Sequence, residues 1–462
     1  MQSRALVALM LCGALLLSGC AAFRSYESEL TQTNLHLQSG DIDAAIALLE
    51  KHNGGENKDL LYYFEKGELL RSKGDLQGSL EAWAQADRQV FEWEEAVRGD
   101  PAKYLGEFGS VLVNDRVRRY EGYDYEKVML TTQMAINHLA LGDFEAARIE
   151  IKKTHEREAL IAELRDQQYL KREEEAEKQG ITAELKDLQG YPVESLNAPE
   201  VIGLKNSYQS AFSHYLSGFV YEALGERGMA APGYRKAAEL RPDTPLLEQA
   251  LLDLDNPGAR GADESDVLLV LQTGLAPARD SVRIPLPIPT SNGLIITPLS
   301  FPVIRDDTST AVLDSLALNG EELPLTELNS TEAMSRRALR DDMPGIILRT
   351  SVRAATRSVA QKQLNDVNPL AGLALGIASA ITEGADERTW RTLPDSTRIV
   401  RLRLKKGEHQ LQLPGAQLRL TIAQDYQVVP LRLVGNQVFT SGTAANLIPL
   451  APLPTVAQAN SL

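Results

Sequence analysis

The chain is poor in cysteine, in aromatic residues and in positive charge, and each shortage removes a class of function. Only Cys12 and Cys20 occur in 462 residues. Beyond residue 20 there is therefore no disulfide, no thiolate nucleophile and no cysteine ligand for zinc, so the fold rests on apolar burial. Lysine and arginine number 48 against 63 acids, a net charge of −15. Residues 263–442 hold 19 basic and 20 acidic side chains, so the acidic excess belongs to the N-terminal half. A half-chain of that sign is unsuited to phosphate backbones, which excludes nucleic acid as a partner. G-x-G-x-x-G, Walker A, G-x-S-x-G and H-E-x-x-H are all missing, and with them the usual signatures of nucleotide, acyl-transfer and zinc chemistry. The histidines are isolated. His138 and His214 fall in helical segments, His409 falls in a strand, and His155 sits in H-E-R-E without the second histidine a zinc site needs. They read as packing or surface residues. No catalytic residue, metal ligand or cofactor follows from the sequence.

What is present begins at the N-terminus. Arg4 precedes thirteen apolar residues, 5–17, and the run ends in Leu17-Ser18-Gly19-Cys20. Thirteen residues are too few to span a bilayer as a helix and match the core of a signal peptide. The segment resembles a bacterial lipoprotein signal. That resemblance implies cleavage after residue 19 and acylation of Cys20. With Ala21 and Ala22 following the cysteine and no aspartate, it also implies an outer-membrane address facing the periplasm. Several acyl chains on one terminus give firm attachment, so the membrane is engaged through lipid alone.

Residues 20–254 repeat themselves. Gly40-Asp41, Gly74-Asp75, Gly142-Asp143 and Gly225 recur in similar surroundings, the first two glycines 34 residues apart and the second and third 68 apart. A 34-residue period with a glycine turn between helices is the tetratricopeptide (TPR) pattern. Ala45, Ser79, Ala147 and Ala230 fill a small position, and Leu49, Trp83 and Tyr234 a large one. Pro232 is expected in the first turn of its helix, where a missing N–H is tolerated. Residues 88–126 have the length of one degenerate repeat. The insert near 154–200 reads as a long solvated helix packed through Leu160, Leu164 and Tyr169.

A Gly/Pro/Asp-rich linker, 255–264, precedes a change of period from 3.6 to 2. The expected architecture is multidomain α + β: a TPR-like α-solenoid, then an antiparallel β-sandwich over 265–442 with helices near 344–364 and 369–382. Lys405-Lys406-Gly407-Glu408 reads as a hairpin turn, prolines 285, 287 and 289 as marks of an edge strand, and the tail 443–462 as unstructured. The 369–382 helix, with Gly372 and Gly376, is either a core helix or an oligomerising surface.

Two surfaces are candidates for binding. The inner face of the repeats would carry Phe64, Glu68, Arg71, Met129, Ile136, Leu139, Phe212, Tyr215, Phe219 and Glu222, a mixed aromatic and acidic groove for a protein segment. Alternatively, those side chains pack on the chain's own insert helix. In the β-domain, residues 388–406 hold seven basic residues and one acid. Arg388, Arg391, Arg398, Arg401 and Arg403, with Trp390, would contact an anionic polymer or headgroup, or would pair with neighbouring acids.

The segments EGYDYEKVMLTTQMAINHLALGDFEAARIEIKK (121–153) and RTWRTLP (388–394) resemble a family of uncharacterised TPR lipoproteins of Gram-negative bacteria. The resemblance implies architecture and address, and no activity. The resulting expectation is a non-enzymatic periplasmic scaffold that docks protein partners of an envelope assembly or export system. The alternative is an envelope hydrolase or ligand-binding protein with a cleft in the β-domain.

Overall fold

The computed structural model describes residues 26–101, 119–179, 190–256, 258, 260–290, 293–367 and 385–448. The signal segment with Cys20, the apolar stretch 369–382 and everything after 448 lie outside the described residues. Helices come first and strands after them. Three helix pairs open the chain: α1 (Tyr26–Ser39) with α2 (Ile42–His52), α3 (Leu60–Ser72) with α4 (Leu76–Gly99), and α5 (Asp124–Ala140) with α6 (Phe144–Gln179). Two single turns follow, α7 (Val193–Leu196) and α8 (Pro199–Ile202). A fourth pair, α9 (Ala211–Ala223) with α10 (Arg227–Leu240), leads to α11 (Pro245–Asp255).

The turns between paired helices share one piece of chemistry. Gly40, Gly74, Gly142 and Gly225 take φ of 82°, 87°, 79° and 78°, a region open to glycine and costly for other residues. The next residue's N–H returns to a carbonyl of the helix just ended: Asp41 to His36, Asp75 to Leu70 and Asp143 to His138 at 2.9 Å, Glu226 to Tyr221 at 2.8 Å. This is the Schellman stop. The three aspartates then cap the following helix, Oδ1 accepting from the N–H of Ala44, Gly78 and Ala146 at 3.1, 2.8 and 2.8 Å. A Gly-Asp dipeptide thus ends one helix and starts the next. Glu226, a methylene longer, makes no such cap.

The small and large positions meet as sterics require. A Cβ on Gly218 would lie 2.5 Å from the Tyr234 ring, and one on Gly67 would run into the Trp83 indole. Gly67 and Trp83 flank Gly74 at the same offsets as Gly218 and Tyr234 flank Gly225. Ala45, Ser79, Ala147 and Ala230 are fully buried. Two readings need correction. Pro232 lies inside α10, beyond its first turn. Residues 88–99 continue α4 and begin no new repeat; 102–118 lie outside the described residues. Helix α6 extends repeat three into the insert as expected, packed through Ile161 and Leu164, while Tyr169 is exposed.

The strands are β1 (Glu264–Thr273), β2 (Ala278–Thr290), β3 (Gly293–Arg305), β4 (Ser315–Leu318), β5 (Glu321–Pro324) and β6 (Thr326–Ser330). After α12 (Thr331–Val367) come β7 (Ser396–Lys405), β8 (Gly407–Leu413), β9 (Ala416–Ile422), β10 (Tyr426–Val434), β11 (Gln437–Thr440) and β12 (Ala445–Ile448). One sheet has the order β11-β10-β1-β7-β6, a second β12-β9-β8-β4-β5, and β2 pairs with β3 in a separate ribbon. Strand β1 runs parallel to β10, Asp266 opposite Tyr426 and Thr273 opposite Leu433, which departs from the all-antiparallel expectation. Alternation of side chains fixes faces and is blind to direction. Lys405-Lys406-Gly407-Glu408 makes no hairpin: β7 pairs with β1 and β6, β8 with β9 and β4, so the chain changes sheet there. Helix α12 starts at Thr331, thirteen residues before Pro344. Its start is set partly by Asp395, whose Oδ1 accepts the Glu332 N–H at 2.9 Å from 63 residues away. The tail opens with β12, paired to β9.

These elements form three layers. Val267, Leu269 and Leu271 of β1 point into an apolar cluster shared with Leu316, Leu411, Leu418 and Leu420 of the second sheet. Leu268 and Val270 point the other way, into a cluster with Phe212, Tyr215 and Phe219 of α9. Burial on both faces explains why β1 reads as a continuous apolar run.

Candidate functional site

Helices α3, α5 and α9 form the inner face of the array, and the first sheet lies on it. Phe64, Glu68, Arg71, Met129, Ile136, Leu139, Phe212, Tyr215 and Phe219 are all buried. The groove expected for a foreign segment is filled by the chain's own C-terminal half. The competing expectation, that α6 covers it, is also incomplete, because the covering elements are β1, β7, β10 and residues 385–395.

That last segment is held as an extended peptide would be. Trp390 has no exposed surface. Its ring stacks on Phe64 at 4.4 Å and 13°, and meets Trp83 edge-on at 5.9 Å. Two buried carboxylates take the segment's backbone. Glu65 accepts from the N–H of Arg391 at 2.6 Å and of Thr392 at 3.0 Å. Glu126 accepts from the Trp390 N–H at 2.7 Å, the Thr389 hydroxyl at 2.9 Å, the Tyr123 N–H at 2.8 Å and the Tyr120 hydroxyl. Burial pushes the Glu65 carboxyl up to about 7 and raises that of Glu126, against the pull of these donors.

A second buried network joins the repeats to the sheet. Arg71 donates to Gln133 of α5 and Gln272 of β1, and pairs with Glu68 at 3.4 Å. Arg432 of β10 donates to Glu68 at 3.1 Å and to the Thr392 carbonyl at 3.2 Å. At the fourth repeat, Arg401 clasps Glu222 through contacts of 2.6 and 3.0 Å, and reaches the Tyr234 hydroxyl at 3.1 Å.

The arginines expected to meet an anionic ligand are paired internally. Arg388 binds Asp386 at 2.7 Å, Arg391 meets Glu27 at 3.2 Å, and Arg398 donates to Asp314 at 2.7 Å and Glu327 at 2.9 Å. Arg403, half-exposed, lies 3.9 Å from Asp266. Among the described residues, Trp390 is sealed between two aromatic rings. The two surfaces that the sequence offers to partners are therefore each other's partner.

Sequence reasoning passed over a histidine pair. His155 and His214 stack at 5.1 Å and 12°, and His214 Nε2 lies 3.0 Å from Glu158. Burial first, then the neighbouring His214, lowers the pKa of His155. The H-E-R-E spacing sets His155 and Glu158 one turn apart on α6, a usable signal once α9 is known to lie alongside. Among the described residues, no group of three or more His, Cys, Asp or Glu could hold a metal ion, and no helix is long and apolar enough to cross a membrane.

Helices in hairpin pairs, closed on a C-terminal β-module, define the class of architecture. No protein-family profile matches the chain, and no curated protein shows significant similarity. Among matching solved structures is a tetratricopeptide repeat protein from Parabacteroides merdae. It is 15% identical, with 50% of this chain and 99% of that chain covered and a TM-score of 0.14.

Proposed function

We propose that this protein is a non-enzymatic, lipid-anchored scaffold of the bacterial envelope, held at Cys20 to the periplasmic side of the outer membrane. Its TPR-like array clamps its own sandwich-like β-module and offers its outer surface to partner proteins. The observation that carries the reading is the occupied inner face: Trp390 and its neighbours fill the position where a foreign segment would bind. The outer helices of the hairpins are what solvent sees. Phe91 on α4, Ile149 on α6 and Met229 on α10 are each about half exposed, although single exposed apolar residues are ordinary on any surface.

Two experiments test the parts separately. Metabolic labelling with an alkyne fatty acid should tag the wild-type chain, and Cys20→Ser should abolish the tag and release the protein from the membrane fraction. Photocrosslinkers at Phe91, Ile149 and Met229 should capture partner proteins in cells, and those at Phe64 and Tyr215 should give only intramolecular links. Foreign crosslinks confined to the inner positions would mean that the clamp opens and that the outer face is inert.

A further inference from the structure

A cleft of about 200 Å³ opens where the fourth repeat meets the β6–α12 junction. It lies between the two halves of the chain, a common setting for ligand sites, and is too small for a drug-sized molecule. Its polar wall includes the start of α9. Ser210 stands at that helix's N-cap position but makes no cap; its hydroxyl is buried and has no hydrogen-bond partner among the described residues. The first-turn N–H groups of a thirteen-residue helix carry partial positive charge. Arg241 lines the cleft as well, its guanidinium 3.2 Å from the carboxylate of Glu327, which shares the wall. This end suits a carboxylate, with the serine hydroxyl donating to it.

The opposite requirement comes from β6 and α12. Asn329 also lines the cleft, is buried, and leaves its Oδ1 without a donor. Glu332 also lines the cleft, one of its carboxylate oxygens paired with Arg336 at 2.9 Å. The start of α12 is already satisfied by Asp395 and by the Ser330 hydroxyl, which accepts the Ala333 N–H at 3.2 Å, so this side seeks a donor. A simple anion would leave Asn329 Oδ1 unpaired, and a simple cation would leave the start of α9 unanswered. A zwitterion meets both, and each orphaned oxygen otherwise costs about 1–3 kcal/mol. Leu204, Leu240, Leu328 and Met334 supply an apolar wall.

We propose that this cleft binds a free α-amino acid with an apolar side chain, its carboxylate at the start of α9 and its ammonium at Asn329 and Glu332. The test is calorimetric titration of the full chain, purified in non-ionic detergent, with L-leucine and with two deletion analogues. These are 4-methylpentanoate, which lacks the ammonium, and 3-methylbutylamine, which lacks the carboxylate. L-Leucine should bind saturably, and each analogue at least about tenfold more weakly. Ser210→Ala, which removes no native hydrogen bond, should weaken leucine binding about fivefold or more without lowering the unliganded melting temperature; Arg241→Ala, which also frees Glu327, should weaken it at least as much. No saturable binding of L-leucine overturns the assignment. So does 4-methylpentanoate binding as tightly as leucine, or an affinity unchanged in both variants.

Discussion

Trp390 is the residue on which the closed inner face turns. It is fully buried, stacked on Phe64 and edge-on to Trp83. Trp390→Ala removes that contact and leaves a cavity that the two helices cannot collapse around, since Gly67 already sits against Trp83. The expected loss is about 3–5 kcal/mol, read as a lower urea midpoint. The surrounding carboxylates predict a pH dependence. Burial raises both Glu65 and Asp395, from ordinary values of 4.5 and 3.8 to about 7; for Asp395 the nearby Glu332 adds to it. The folded chain holds these protons more tightly than the unfolded chain. Their contribution is therefore complete below about pH 4 and is lost as pH rises through 7. Asp395→Asn keeps the Oδ1 that caps α12 and cannot ionise. It should raise the melting temperature at pH 8, leave it nearly unchanged at pH 4, and flatten the slope between. An equal gain at both pH values would place the effect outside ionisation.

At the scale of elements, the helix pairs stand or fall on small residues. A Cβ on Gly233 would lie 2.7 Å from the Gly218 nitrogen and 2.8 Å from the His214 carbonyl oxygen. Backbone cannot swing aside as a side-chain tip can, so Gly233→Ala should force α9 and α10 apart at a cost of about 3 kcal/mol, the upper part of the overpacking range. Gly228→Ala in the same helix meets nothing and should be neutral or stabilising, which thermal melts of the pair would decide. This level of structure was the most legible in the sequence. The turn, the stop and the cap are all written in one dipeptide, Gly-Asp, repeated at a fixed spacing. Short elements with remote partners were not legible. Strands β6 and β12 are five and four residues long, and the start of α12 depends on Asp395. The occupant of the inner face was illegible for the same reason: Glu65 takes the N–H of Arg391 from 326 residues away, and no local pattern announces such a pairing. Both surfaces stand out in the sequence, one aromatic and acidic, the other basic around Trp390. Their complementarity of charge, acids on the repeats against arginines at 388–403, was the available signal.

Across the whole molecule, that complementarity makes the two halves one folding unit. The largest apolar cluster runs from Leu37 and Trp83 in the repeats to Leu275, Trp390 and Val434 in the β-half, and the second joins Phe219 and Tyr234 to Leu268, Val270 and Val428. Cutting the chain in the 255–264 linker would expose both sides of this seam and strand several buried charges. Glu68 would lose Arg432, and Glu222 would lose Arg401. Breaking one such buried pair costs about 3–5 kcal/mol, a large share of the 5–15 kcal/mol that typically separates folded from unfolded chains. Expressed separately, the repeat half and the β-half should each be insoluble or lack a cooperative melt. Co-expressed, they should copurify as a one-to-one complex with a single unfolding transition. The intact chain should likewise unfold in one step by circular dichroism and by tryptophan fluorescence, because Trp83 and Trp390 report the same seam from opposite halves. Arg401→Ala should lower that single transition without splitting it. Two separated transitions in the wild type would instead mean that the seam is weak and that the inner face opens within reach of a partner.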